Sequence, residues 1–293
     1  IGHLDDVTFG KGYGEENDWC QRAIKAGYTN VLADNLFVYH KHGGSFLSEE
    51  KARLIEKNTA ALTAKHPDYL QDVARFCSLD PAAEIRDYVK TKLLIKQHGA
   101  PTVILNHNLG GGATSYIEQQ KKFFADGTVA IVSYDSEYMQ YYFDFYFDAY
   151  VTRYRLHSLK ELESVFAWAG IKKICINELV TYPKLYALLN RVLEWKHRYA
   201  VDIVMMIHDY YPVCPSLNLL NNQGVYCAVP DLAHCKKCIS DNKYFVNQEY
   251  VNIKTWRENW KSFLKNCDEI RCFSEDSVRI LQKAYGLLDG VTV

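Results

Sequence analysis

The sequence predicts an α/β fold built on a doubly wound parallel sheet, and three observations carry that expectation. From Thr102 on, short apolar runs (TVILN, VAIVSY, KKICINEL, DIVMMIHD, EIRCFS) alternate with stretches of helical periodicity. The runs are apolar throughout, as strands covered on both faces are. Strands alternating with helices of about 10–15 residues favour parallel neighbours joined by helical crossovers.

Taken in order, residues 1–47 mix turns with a helical pattern from about Asp18 to Ala26, stopped by Gly27, and a short strand, NVLADNLFVYH. Residues 48–101 read as helices. Ser48 with Glu49 and Glu50 opens one in the manner of an N-cap, and KARLIEKNTAALTAKH has helical spacing. Pro67 and Pro81 punctuate the stretch after that helix, and Gly99-Ala100-Pro101 closes the segment. Residues 102–293 form the sheet domain. Its helices are expected at ATSYIEQQKKFFAD, SLKELESVFAWAG, PKLYALLNRVLEWKHRY, TWRENWKSFLKNC and EDSVRILQKAYG, and VTV begins a last strand.

Composition removes several classes of function. The net charge is −1, so neither nucleic acid nor an anionic membrane is attracted in bulk. Hydrophobic residues make up 48% of the 293 positions, enough to bury a core. No apolar run approaches the roughly 18–20 residues of a spanning helix. The opening IGHLDDVTFG carries Asp5 and Asp6 where a signal peptide needs an apolar stretch. A chain starting with Ile suggests a processed or truncated product. Cys20, Cys77, Cys175, Cys267 and Cys272 are scattered and read as small buried hydrophobes. Cys214, Cys227, Cys235 and Cys238 instead follow C-x12-C-x7-C-x2-C. Four thiolates can complete a structural zinc site, with His234 as an alternative ligand; otherwise they are reduced cysteines packing a long loop.

Three further stretches can carry chemistry. In NHNLGGGATSYI, Gly110, Gly111 and Gly112 would let backbone N–H groups approach a phosphate at a helix N-terminus, or simply connect strand to helix. The turn matches neither G-x-G-x-x-G nor a P-loop. His208 and Asp209 end an apolar strand, where ligands of open α/β sheets bind. At the other end of the chain, GYGEEND bunches Glu15, Glu16 and Asp18 before a helix, and His40 and His42 follow about two dozen residues on. A carboxylate there can serve as a general base, or can merely complement the helix dipole.

FGKGYGEENDWCQRAIKAGYTNVLADNLFVYHKHGGSF resembles the carboxy-terminal end of a family 2 glycosyltransferase domain of GT-A fold. The resemblance implies that Glu16, where the family more often has Asp, is the base acting on the acceptor hydroxyl, with Asp18 as the second candidate. It also implies that His40 helps hold a divalent metal, Mn or Mg. From about residue 102, NLGGGATSYI, HDYYPVCPS and YCAVPDLAHCKKC resemble the amino-terminal, Rossmann-like half of a family 4 glycosyltransferase of GT-B fold. There the Gly110–Gly112 loop, His208 and Asp209 would line the inter-domain cleft. The combination implies an internal fragment of a tandem enzyme: a GT-A remnant (1–47), a helical connector (48–101) and a GT-B half-domain (102–293). The intact protein would move sugars from nucleotide-sugar donors to a glycan or lipid-linked glycan in surface polysaccharide synthesis. It would work in the cytoplasm or at the inner face of the membrane, and the fragment alone would be inactive. The rival expectation is a non-catalytic, zinc-stabilised α/β module that binds a glycan or a protein. A nucleotide-linked oxidoreductase is disfavoured, because no Gly fingerprint occurs together with an acidic ribose-binding residue.

Overall fold

Six of the eight strands in the sheet pair in parallel and β3 alone runs against the rest, in the order β4-β3-β2-β1-β5-β6-β7-β8. They are β1 Thr102–Leu105, β2 Val129–Asp135, β3 Gln140–Phe147, β4 Tyr150–Leu156, β5 Lys173–Ile176, β6 Asp202–Ile207, β7 Glu269–Cys272 and β8 Val291–Thr292. This computed structural model describes residues 1–10, 12–31, 33, 35–39, 48–121, 127–245 and 251–293. The chain divides into two units, Ile1–Glu84 and Ile85–Val293.

In the first unit the helices are α1 (Asp6–Phe9), α2 (Glu15–Lys25), α3 (Ser48–Lys65) and α4 (Tyr69–Leu79). The buried amide of Asn58, on α3, donates to the carbonyls of Phe9 (2.8 Å) and Gly12 (2.7 Å), which pins the turn ahead of α2. Gly14 enters that helix at φ 129°, and a Cβ there would lie 3.0 Å from the Phe9 ring. Only glycine fits both demands. The helix begins at Glu15, so all three carboxylates lie in its first turn. Of the expected strand over 30–40, the described residues (Asn30, Val31, Ala33 and 35–39) form none and are exposed. A strand needs a ladder partner, and no strand occurs among the described residues of this unit.

The expected connector 48–101 is shared between the units: α3 and α4 belong to the first and most of α5 (Ala83–His98) to the second. Tyr88 packs edge-on against Trp168, and Tyr154 donates to Thr91 at 2.9 Å, tying α5 to the sheet unit.

In that unit the remaining helices are α6 (Gly111–Lys121), α7 (Leu159–Ala169), α8 (Leu185–Tyr199), α9 (Leu232–Ser240), α10 (Ile253–Leu264) and α11 (Glu275–Tyr285). Ser158 and Ser274 accept from backbone N–H groups at the starts of α7 and α11, and Gly170 ends α7 in the left-handed region. One sheet face carries the main core, where Phe143, Phe166, Trp195 and Trp260 are almost wholly buried. Ile117 of α6 packs on the opposite face against Ile104, Cys175, Val204 and Met206. The parallel strands and their crossover helices match expectation. The β3–β4 hairpin does not: it adds an antiparallel edge, with Asp144 opposite Arg153 in a bidentate pair at 2.6 and 2.7 Å. Cys175 and Cys272 are buried as expected, whereas Cys77 is exposed.

Candidate functional site

The chain runs outward from β1 to β2 and then crosses to β5 on the other side of β1, so the strand order reverses between β1 and β5. Ligand crevices in open α/β sheets form at such a reversal, beyond the carboxyl ends of the strands. The register pairs Leu105 with Ile176, and Ile207 with Cys272. Asn106 and Asn177 therefore leave the sheet side by side, and His208 leaves it beside Phe273.

These side chains form one hydrogen-bonded chain. Asn177 donates from Nδ2 to Asn106 Oδ1 (2.7 Å) and to the carbonyl of Ala113 (3.1 Å). Its Oδ1 is thereby turned to His208, whose Nε2 lies 2.7 Å away and must be the donor. A neutral imidazole holding its proton on Nε2 presents Nδ1 as an acceptor. Burial, reinforced by nearby His107, holds the His208 pKa down at about 4, so the ring is neutral at pH 7. Phe273 stacks on it at 4.4 Å and Tyr116 meets it edge-on at 5.2 Å. The ring is clamped.

Two carboxyls stand next to this chain. Glu178 is buried, and its Oε1 accepts from the backbone N–H groups of Leu179 (2.8 Å) and Val180 (3.1 Å). Its carboxyl also shares a hydrogen bond with Asp209. Burial and the Asp209 charge drive the Glu178 pKa well up, so Glu178 keeps the proton and donates to Asp209. Asp209 is also raised by burial, against the hydrogen bonds it accepts from Glu178 and from Tyr211 N (2.8 Å). Burial lowers the pKa of His107, with Asp209 opposing it.

The Gly-rich turn lies against the same strand ends. Through Asn177 and the Ala113 carbonyl, the first turn of α6 is fixed beside Asn106. Gly110 and Gly111 take φ 78° and 84°, which side chains rarely adopt; Gly112 does not. Helix-start N–H groups lack intrahelical acceptors and favour an anion. His208, Asp209 and the Gly110–Gly112 loop thus meet at the sheet's carboxyl edge. Asn106, His107, Asn177 and Glu178 join them without having been expected; their signal was a polar pair directly after a buried strand, in LNH and INE.

The acidic turn separates its two candidates. Asp18 is fully buried and binds Arg22 Nε (2.8 Å), Lys65 Nζ (2.9 Å) and His66 Nε2 (2.9 Å). Burial would raise its pKa, but hydrogen bonds from His66, Lys65 and Arg22 outweigh that and hold it at about 2. With those partners it has no route to an outside hydroxyl. Glu16 is exposed and lines a cavity of about 300 Å³ with Tyr13, Asn17, Asn58 and Tyr69. His40 lies outside the described residues. Among those described, no three His, Cys, Asp or Glu side chains are grouped to hold one metal ion.

Cys214, Cys227, Cys235 and Cys238 all line one cavity of about 380 Å³ in the β6–α10 connection. No three of them are grouped as ligands of one metal ion, although Cys214 lies near enough to Cys227 and Cys235 to interact with them electrostatically. Burial pushes the Cys214 thiol up to about 12 and raises Cys235 as well. No helix among the described residues is long and apolar enough to cross a membrane.

These features define an α/β protein with a mostly parallel sheet and a polar site at its reversal point. No protein-family model, curated protein or solved structure matches the chain.

Proposed function

We propose that this protein transfers sugars from nucleotide-sugar donors to a glycan or lipid-linked acceptor in surface polysaccharide synthesis, with one centre in each unit. The supporting observation is the clamped, neutral His208 at the strand-order reversal, held through Asn177 to Asn106 and to the first turn of α6. In this centre, read as the amino-terminal half of a GT-B enzyme, the acceptor enters beside His208 and its hydroxyl donates to Nδ1. Attack of that oxygen on the anomeric carbon breaks the bond to the leaving diphosphate. The N–H groups after Gly110–Gly112 face the negative charge that develops there. In the first unit, read as the end of a GT-A domain, Glu16 takes the acceptor proton, since Asp18 is committed to Arg22, Lys65 and His66. The reaction belongs in the cytoplasm, at the inner face of the membrane where lipid-linked acceptors are presented.

The test is made in the full-length natural protein with labelled nucleotide-sugars. Glu16→Gln and His208→Ala, made separately, should each abolish a different one of two transfers while circular dichroism stays unchanged. Persistence of both transfers in both variants overturns the assignment.

A further inference from the structure

Two histidines stand at the strand ends, and they spend opposite ends of the ring on the fold. His208 gives its Nε2 proton to Asn177 Oδ1 at 2.7 Å and keeps Nδ1 as an acceptor. His107 does the reverse. Its Nδ1 accepts the backbone N–H of Leu109 at 2.9 Å, so its proton sits on Nε2 and that N–H is the end left over. Among the described residues no acceptor takes it. The same contact holds the ring neutral, because a proton on Nδ1 would face the Leu109 N–H and open the turn. Burial acts in the same direction and lowers the His107 pKa, with Asp209 opposing it. The chain fixes where this donor lies. His107 directly follows Asn106, which is tied to Asn177 at 2.7 Å, and its bond to Leu109 closes the turn that runs through Gly110 into α6. It is near enough to His208 and Asp209 for their charges to act on one another. His107 thus belongs both to the surroundings of His208 and to the turn that opens α6, whose first N–H groups favour an anion.

We propose that His107 is a further substrate-binding residue of this centre, donating from Nε2 to an oxygen of the diphosphate that leaves during sugar transfer. The proposal rests on the reading of His208 as the group that receives the acceptor hydroxyl. Negative charge grows on the diphosphate as its bond to the anomeric carbon breaks. A donor fixed beside it therefore holds the transition state more tightly than the ground state. His107 gives a hydrogen bond and keeps its proton, so no covalent bond of its own is made or broken. A neutral imidazole whose other nitrogen is already occupied suits that task, since it cannot drift into service as a base. The two rings divide the reaction: His208 meets the entering hydroxyl as an acceptor, and His107 meets the departing group as a donor.

His107→Asn isolates the donor. The new Oδ1 can take the Leu109 N–H as Asp209 takes that of Tyr211 and Asn221 that of Gln223, two residues on, so the turn is kept while Nε2–H is lost. His107→Gln returns an N–H to nearly the same place. In the full-length natural protein, His107→Asn should lower kcat of the His208-dependent transfer about 100-fold, with KM for the acceptor unchanged. It should also weaken binding of inorganic pyrophosphate, the probe of the diphosphate, by about tenfold. His107→Gln should recover at least about tenfold of the lost rate. In the wild type, pyrophosphate should shift the His107 Nε2–H resonance, which needs no variant to fold. Full rate in His107→Asn, an effect confined to acceptor KM, no recovery in His107→Gln, or a resonance that pyrophosphate leaves unmoved overturns the inference. The inference and the reading it rests on fail separately. If His208→Ala spares both transfers while His107→Asn still weakens pyrophosphate binding, sugar transfer falls and the anion contact stands. If His208→Ala abolishes a transfer and His107→Asn alters neither rate nor pyrophosphate binding, the contact falls and transfer stands.

Discussion

Asp18 in the first unit and Asp209 in the second both lie near a turn at the edge of a helix or sheet, yet their pKa values move in opposite directions: partners outweigh burial at Asp18, and burial outweighs partners at Asp209. Asp18 is ringed by Arg22, Lys65 and His66 and loses its proton more readily than a free carboxyl. Asp209 faces the protonated Glu178 beside a neutral His208, and it holds its proton more tightly. The first arrangement spends a carboxylate on cross-linking α2 to the end of α3. The second withholds charge from a buried crevice, keeping acceptors and a single proton in reserve. Acidic residues in a motif therefore say little until the charges around them are known.

The sharpest way to break this comparison is Asp18→Asn. The amide keeps the shape but takes the carboxylate from buried His66 and from Arg22, and leaves Lys65 with Asp5 alone. A loss of about 3 kcal/mol is expected in urea unfolding. Glu16→Gln, two residues away and exposed, should change stability by less than about 0.5 kcal/mol. Because the folded pKa of Asp18 is depressed, its stabilisation is fully present above the unfolded value of about 4. It fades as the pH falls from there towards about 2. Equal effects of the two substitutions would mean that Asp18 is not the keystone of this unit.

Glu178→Gln probes the other side of the comparison with a smaller effect. Gln can still accept from Leu179 and Val180 and donate to Asp209, as the protonated acid does. The folded pKa of Glu178 is raised, so its contribution is complete below the unfolded value of about 4.3 and declines as the pH rises through the folded value. The variant should match the wild type near pH 4 and exceed it by about 1.5 kcal/mol at pH 7–8. His208 has the opposite linkage: its depressed pKa makes stability decline as the pH falls from about 6.5 to about 4. Denaturant midpoints of both proteins across pH 4–8 separate these contributions. A variant less stable than the wild type at pH 8 would show that Glu178 is ionised when folded.

The sequence made the parallel strands and their helices legible because each is a uniform apolar run or a 3.6-residue pattern. The β3–β4 hairpin escaped because its charges, Asp144 and Arg153, look like loop residues until the antiparallel register sets them opposite each other. The site was half visible for a similar reason. His208 and the glycines could be picked out singly by position, one at a strand end and the others in a turn. Asn177 and Glu178 matter only because β5 lies between β1 and β6, and neighbour order is a property of the folded sheet. In the acidic turn, the difference between Glu16 and Asp18 lies in Lys65 and His66, nearly fifty residues away.

The glycine turn offers the finest test, because its members differ in what they require. At Gly111, φ is 84° and a Cβ would meet nothing within 4 Å, so an alanine there suffers only the backbone penalty of about 1 kcal/mol. Gly112 has no positive φ and equally open surroundings. Alanine at 112 should stabilise the first turn of α6 by a few tenths of a kcal/mol, through helix propensity and reduced freedom of the unfolded chain. Paired thermal melts therefore predict opposite signs for Gly111→Ala and Gly112→Ala. The same pair separates folding from chemistry in the full-length protein. If the backbone at 112 must approach a diphosphate, Gly112→Ala will impair transfer while raising stability. If transfer survives in that variant, close approach of the donor at 112 is not needed, and the anion is met by the other N–H groups at the start of α6.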